Sequence, residues 1–338
     1  MNKIGNIKRK KLKLSSQELV KISPLQLGED LPIVIQPSQE KLDLVSWAAN
    51  NLELIETHLF KQGAILFRNF PLNGIAEFEK FIQSSFGKLL EYSYRSTPRT
   101  QVNNQIYTST EYPPEQSIPL HNEMAYSNSW PLKIAFYCIQ PATQGGLTPI
   151  ANSRKVFQQI NSTIREKFQN KKILYIRNYG NGLDLPWQNV FQTNDKSQVE
   201  KFCDRADIKL EWIGENCLRT YQICQAVAAH PQTGEMVWFN QAHLFHISSL
   251  KPEVREQLLS VFQEDELPRN AYYGDGSPIE SSILDEIREI YRQEAIHFSW
   301  QAGDVLLLDN MLTAHGRTPF VGDRKVVVGM AESIISSQ

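Results

Sequence analysis

The stretch GDVLLLDNMLTAHGRTPFVGDRKVVVGMA, residues 303–331, holds two apolar runs, Val305-Leu306-Leu307-Leu308 and Val326-Val327-Val328, with His315 and Arg324 between them. Short apolar runs bounded by Gly and Asp read as buried strands. His315 follows the first run, and Arg324 stands nine residues past it, just before the second. A short hairpin therefore returns Arg324 beside His315. Working outward, PLHNEMAYS at 119–127 carries His121 and Glu123. On extended backbone a His-x-Glu pair presents both side chains on one face, because side chains alternate with period two. His315 then completes a two-His-one-carboxylate set, which leaves an octahedral ion three open positions for a bidentate cosubstrate and O2, as a non-haem Fe(II) oxygenase requires.

Each part has a bland alternative. A lone His-x-Glu pair is commonly a solvated strand, and a lone Arg324 would read as a surface residue. Context decides against both: Pro119 and Leu120 lead into the pair, strand-like KIAFYCIQ follows at 133–140, and the distant His lies directly after an apolar run. Beside such a metal site, the planar fork of Arg324 suits the distal carboxylate of a dicarboxylic cosubstrate.

Strands are expected at 64–68, 133–140, 173–178, 297–300, 304–308 and 325–330. Helical apolar faces are read at Ile75, Phe78, Phe81 and Ile82, at Val254, Leu258, Val261 and Phe262, and at Ile283, Ile287, Ile290 and Tyr291. All three faces are assigned to the core. The pattern predicts a mainly β fold with flanking helices, built on a double-stranded β-helix of the jelly-roll, cupin-like kind. Loops at 109–119, 141–149, 180–186 and 273–278 are long enough to roof a site.

The 338 residues read as a basic tail and lead-in over 1–40 and one domain over 41–338, since no linker separates the near and far ligands. The net charge of −2 argues against a nucleic-acid partner, and no apolar run approaches membrane-spanning length. The cluster Lys8, Arg9, Lys10, Lys11 and Lys13 is read as a solvated tail. Cys138, Cys203, Cys217 and Cys224 form no CxxC motif and are expected to be reduced and mostly buried, which points to the cytoplasm.

The remaining histidines, His58, His230, His243, His246 and His297, have no carboxylate at ligand spacing and are read as hydrogen-bonded structural residues. Gln116, Tyr126 and Asn128 flank the ligand pair closely enough to reach a molecule over the iron, and Asn240 in WFNQ could face the pocket. Arg219 in CLRTYQ is a candidate for a substrate carboxylate. A structural role is an equal alternative for each of these.

With these motifs in place, the chain resembles the TauD/TfdA group of Fe(II)- and 2-oxoglutarate-dependent dioxygenases, in its clavaminate-synthase-like and SyrP-like branch. The resemblance rests on GAILFRNF at 63–70, STEYPPEQSIPLHNEMAYSNSWP at 109–131, QGGLTPIANSR at 144–154, HPQTGEMVWFNQAHLFH at 230–246 and the 303–331 stretch. It implies that His121, Glu123 and His315 are iron ligands, and that Thr148 and Arg324 hold the distal carboxylate of 2-oxoglutarate. In the taurine-dioxygenase branch the middle ligand is Asp and a second Arg stands four residues after the first, whereas this chain has Glu123 and Val328. The related carrier-linked halogenases replace the carboxylate by a small residue, so Glu123 argues for hydroxylation, with desaturation or ring closure as variants. The branch implies an amino acid substrate, free or tethered to a peptidyl carrier protein, in specialised-metabolite biosynthesis. A catabolic dioxygenase of a small sulfonate or carboxylate is the alternative enzyme, and a non-catalytic cupin-like metal-binding protein the alternative class.

Overall fold

The computed structural model describes residues 19–26, 28, 30–92, 94, 96–180 and 182–336, so the basic cluster at 8–13 lies outside the described residues. Its strands include β1 (Val20–Pro24), β2 (Ile33–Pro37), β3 (Ala64–Phe67), β4 (Ile118–His121), β5 (Ser129–Gln140) and β6 (Ile150–Asn152). Further along lie β7 (Ile173–Tyr179), β8 (Cys217–Cys224), β9 (Val305–Asp309), β10 (Thr313–Arg317) and β11 (Lys325–Ile335). The main sheet runs β1-β2-β3-β9-β5-β11 and continues through Ile106–Thr108 and Gln101–Asn103. Opposite it stands a small sheet ordered β4-β10-β6, and a separate four-stranded sheet contains β7 and β8. The two-sheet jelly roll expected from the sequence is what forms.

Strand β5 is central because it is apolar on both faces. Ile134, Phe136 and Cys138 point into the space between the two sheets with Leu306, Leu308, Val326 and Val328, while Ala135 and Tyr137 join Val305, Leu307 and Val327 on the outer face. Both sides are therefore covered, which is why these strands read as continuous apolar runs rather than alternating ones. The outer cover comes from α1 (Ile75–Phe86), whose Phe78, Phe81 and Ile82 are buried together with Trp47, Ile55 and Leu59.

Three expectations need correction. The boundary drawn at residue 40 falls inside the fold: β2 pairs in parallel with β3, Ile33 opposite Ile65, and Val20 and Ile35 belong to the outer core. The segment 297–300 is not a strand. Its backbone finds no sheet partner beyond a bridge between Ile296 and Ile150, and Phe298 and Trp300 are buried by their side chains alone. Helix α2 (Pro252–Val261) buries its apolar face only in part, since Val254 and Val261 are 41% and 73% exposed while Leu258 and Phe262 are half-buried. Apolar spacing defines a helical face, but not how far it is covered. The third face fares as expected in α3 (Ser281–Gln293), where Ile287, Ile290 and Tyr291 are buried and Ile283 packs half-buried against the same core. Among the described residues, no helix is long and apolar enough to cross a membrane.

Candidate metal centre

Antiparallel pairing of β10 with β4 sets His315 directly opposite His121, and the two ring centroids lie 4.6 Å apart. Between these strands the backbone passes so closely that a Cβ on Gly316 would meet the Ile118 carbonyl oxygen at 2.5 Å. Glycine is therefore required at the residue after the ligand. Glu123 reaches the same place by a different route from the one its spacing suggests. Strand β4 ends at His121, and Glu123 lies in the following turn, where Met124 takes φ 57°.

What holds that turn is Asn310, just past the end of β9. Its side-chain oxygen accepts from the Glu123 backbone N–H at 2.7 Å, and its amide nitrogen donates to the carbonyls of Glu123 and Pro131. Asn310 is in turn fixed by Asp309, whose Oδ1 accepts from the backbone of Met311 and Leu312. The other Asp309 oxygen faces Lys133 at 3.0 Å and His230 at 3.1 Å. Burial would raise this carboxyl, but Lys133 and His230 hold it lowered. His230 Nδ1 accepts from Thr233 N–H, so Nε2 carries the proton it donates to Asp309. Loss of the latch in Asn310→Ala is expected to weaken Mn(II) binding about 10–100-fold, the usual cost of removing an outer-shell partner. Metal titration of the folded variant checks this, and wild-type affinity would show that Glu123 finds its place without the amide.

One ligand atom from each of His121, Glu123 and His315 lies within 4.8 Å of the others, and among the described residues no other group of three His, Cys, Asp or Glu converges in this way. Burial lowers the pKa of both imidazoles, His315 well below its ordinary value, so both offer a lone pair at neutral pH. His121 Nδ1 sits 2.8 Å from the Pro119 carbonyl and donates to it, which leaves Nε2 for an ion. Glu123 pairs with Arg99 at 2.5 Å, both side chains being almost wholly buried. Burial alone would lower the Arg99 pKa, but Glu123 beside it raises it, and the guanidinium stays charged. Two neutral imidazoles and a carboxylate converging beside a cleft suit Fe(II), and three ligands rather than four leave it open to further ones.

The cleft lined by His121 and His315 is lined also by Ser109, Phe136, Thr148, Arg317 and Arg324. Arg324 reaches it because Gly146 has no side chain, a Cβ there lying 3.0 Å from Arg324 Cδ. Arg324 donates to the Gly146 carbonyl and the Ser109 hydroxyl, and burial followed by the nearby Arg317 lowers its pKa to about 10. It is still a cation at neutral pH. The Thr148 hydroxyl accepts from Trp300 Nε1 at 2.9 Å, so its own proton remains for an incoming oxygen. Arg317 donates to the carbonyls of Tyr112, Pro113 and Gln116 and thereby ties the rim loop to the strand of His315.

The five substrate-contact candidates are not brought together. Tyr126 is core, its hydroxyl donating to the Tyr94 carbonyl and its ring 5.2 Å from Phe245. Arg219 faces the other way on β8, bonded to Asn178 and Asp265. Asn240 is buried, with its amide spent on the Ala226 carbonyl and the Ala242 N–H. Gln116 is exposed on the rim and Asn128 half-buried beside β5, and neither lines the cleft. His243 is structural: its Nε2 bonds the Leu120 carbonyl at 3.0 Å, its ring stacks on Tyr291, and burial lowers its pKa to about 3. Arg99, Asn310 and Trp300 were not singled out from the sequence, because each acts across the fold and none carries a local motif.

Comparison with known proteins places the chain in a family. The family model described as taurine catabolism dioxygenase TauD, TfdA family, matches residues 22–331. The dapdiamide synthesis protein DdaC of Enterobacter agglomerans is 41% identical over 283 residues, covering 84% of this chain and 86% of its own. A clavaminate synthase-like protein of Arabidopsis thaliana is 30% identical over 291 residues, covering 82% and 84%. Among solved structures, PvcB of Pseudomonas aeruginosa, an Fe, α-ketoglutarate dependent oxygenase from an isonitrile synthetic pathway, superposes with a TM-score of 0.53 at 13% identity, over 94% of this chain and 92% of its own. That likeness speaks to the fold alone.

Proposed function

The chain belongs to the TauD/TfdA family of Fe(II)- and 2-oxoglutarate-dependent dioxygenases, and from that premise we propose that His121, Glu123 and His315 hold the iron of an oxygenase acting on an amino acid, free or carrier-tethered, in specialised-metabolite biosynthesis. The observation that carries the assignment of roles is the convergence of His121, Glu123 and His315, two of which, His121 and His315, line one cleft with Thr148 and Arg324. A purely structural metal site closes its coordination sphere and has no use for a dicarboxylate anchor. The amino acid substrate draws its support from DdaC, a dapdiamide synthesis protein.

When bound, iron with 2-oxoglutarate and O2 supplies the oxidising power to break an unactivated C–H bond, the cosubstrate leaving as succinate and CO2. The protein supplies geometry and dryness. Arg324 and the free Thr148 proton bind the distal carboxylate and so set how far the cosubstrate's other end reaches. Phe136, 5.1 Å from the His315 ring, walls the site with an apolar face and excludes water there. Glu123 fills the third ligand position, leaving no place for a halide. Chloride in the assay is therefore expected to leave the product hydroxylated or desaturated.

The test is to offer matched free and carrier-loaded amino acids and follow succinate. Turnover with a member of either series supports the assignment. Turnover with neither, together with turnover of taurine or another sulfonate, would move the protein to the catabolic reading.

A further inference from the structure

Glu123 is held at both ends. Asn310 fixes its backbone, and Arg99 donates from Nη2 to Oε2. Oε1 has no partner among the described residues. Arg99 lines the cleft with His121 and His315, and the Tyr92 ring, 4.7 Å from its guanidinium, backs it.

A carboxylate can meet a cation through one oxygen or through both. On an octahedral ion the difference is one coordination position. With two imidazoles and a monodentate carboxylate, three positions stay open, enough for a two-point cosubstrate and O2. If the carboxylate chelates, only two remain. Glutamate has the reach to turn both oxygens toward an ion, and a fixed guanidinium on one of them removes that freedom.

Resting on the functional reading above, we propose that Arg99 is a positioning residue that keeps Glu123 monodentate by holding Oε2, and thereby preserves the third open position on the metal. This role and a merely structural one differ in sign. If Arg99 only stiffened the site, its loss would weaken metal binding. If it guards the second oxygen, its loss removes a neighbouring cation and frees a donor, so metal binding is kept or strengthened while the cosubstrate loses a position.

The experiment uses the full chain as wild type, Arg99→Met and Arg99→Gln, purified with metal present. Mn(II) affinity is measured without 2-oxoglutarate, 2-oxoglutarate affinity is measured on the Mn(II) protein, and the Co(II) absorption spectrum is recorded before cosubstrate is added. In Arg99→Met the expected result is Mn(II) affinity equal to or above wild type, 2-oxoglutarate affinity lower by about 10–100-fold, and an altered Co(II) spectrum. Arg99→Gln keeps a donor without the charge and is expected to show the same pattern at smaller amplitude. It carries the test if Arg99→Met does not fold. Mn(II) affinity that falls with 2-oxoglutarate affinity overturns the proposal, as does wild-type 2-oxoglutarate affinity in the folded variants. So does an unchanged Co(II) spectrum beside lost 2-oxoglutarate affinity, which would mean that Arg99 touches the cosubstrate itself. Wild-type protein that binds neither Mn(II) nor 2-oxoglutarate would instead defeat the functional reading.

Discussion

Alanine at His121, Glu123 or His315 is expected to abolish coupled turnover and to weaken Fe(II) binding by more than about 100-fold, since changes to outer-shell partners alone cost 10–100-fold. The two histidine variants should remain folded, because the apolar layers on either side of β5 do not depend on the ion. Glu123→Ala has a further effect, as it leaves Arg99 buried without its carboxylate. Breaking a buried pair costs about 3–5 kcal/mol, so this variant should also melt earlier. Glu123→Gln, which still offers Arg99 an acceptor, separates ligand loss from that instability. His243→Ala provides the contrast: its imidazole serves a backbone carbonyl, and metal affinity should survive. Near-wild-type succinate production by any one of the three ligand variants would reject the assignment, and loss of iron binding in His243→Ala would place His243 among the ligands instead.

Arg324→Leu is expected to raise the 2-oxoglutarate KM by tens-fold or more with iron still bound. Truncating one side of a buried, charge-assisted contact costs about 2–5 kcal/mol when the other charge is left unpaired. Thr148→Val removes one neutral donor and should cost less. It also strips Trp300 Nε1 of its acceptor, so part of its effect will appear as lower stability. Steady-state kinetics with 2-oxoglutarate varied at fixed iron decide the matter. An unchanged KM in Arg324→Leu would move the anchor to Arg317, the neighbouring guanidinium in the same cleft.

The nearness of His121, His315 and Arg324 was legible because strand pairing carried it: an apolar run fixes a strand, and His315 and Arg324 stand at fixed offsets from such runs. Glu123 was legible as a member of the set but not in its conformation. The period-two argument assumes a strand through residue 123, whereas the chain turns at His121 and the carboxylate is placed by Asn310, 187 residues away in sequence. No local pattern announces a side chain that bonds across that separation. The substrate candidates failed for a related reason. Nearness in sequence to the ligands says nothing of direction once the chain leaves the strand, and Tyr126 turns into the core beside Phe245. The partly exposed face of α2 shows the converse limit: periodicity reveals which side chains share a face, but not how much of it is covered.

The latch between Asn310 and the turn of Glu123 also orders events during synthesis. Ribosomes deliver the chain from its N-terminus, and a domain generally folds as a unit. The HNE segment is made early, yet neither its partner strand nor its latch exists until residues 309–317 have followed. A nascent chain stalled before β10 thus owns two ligands and no site to put them in, and can only hold iron loosely, as two unconstrained side chains would. Convergence of the three side chains is in consequence a late step, coupled to closure of the small sheet.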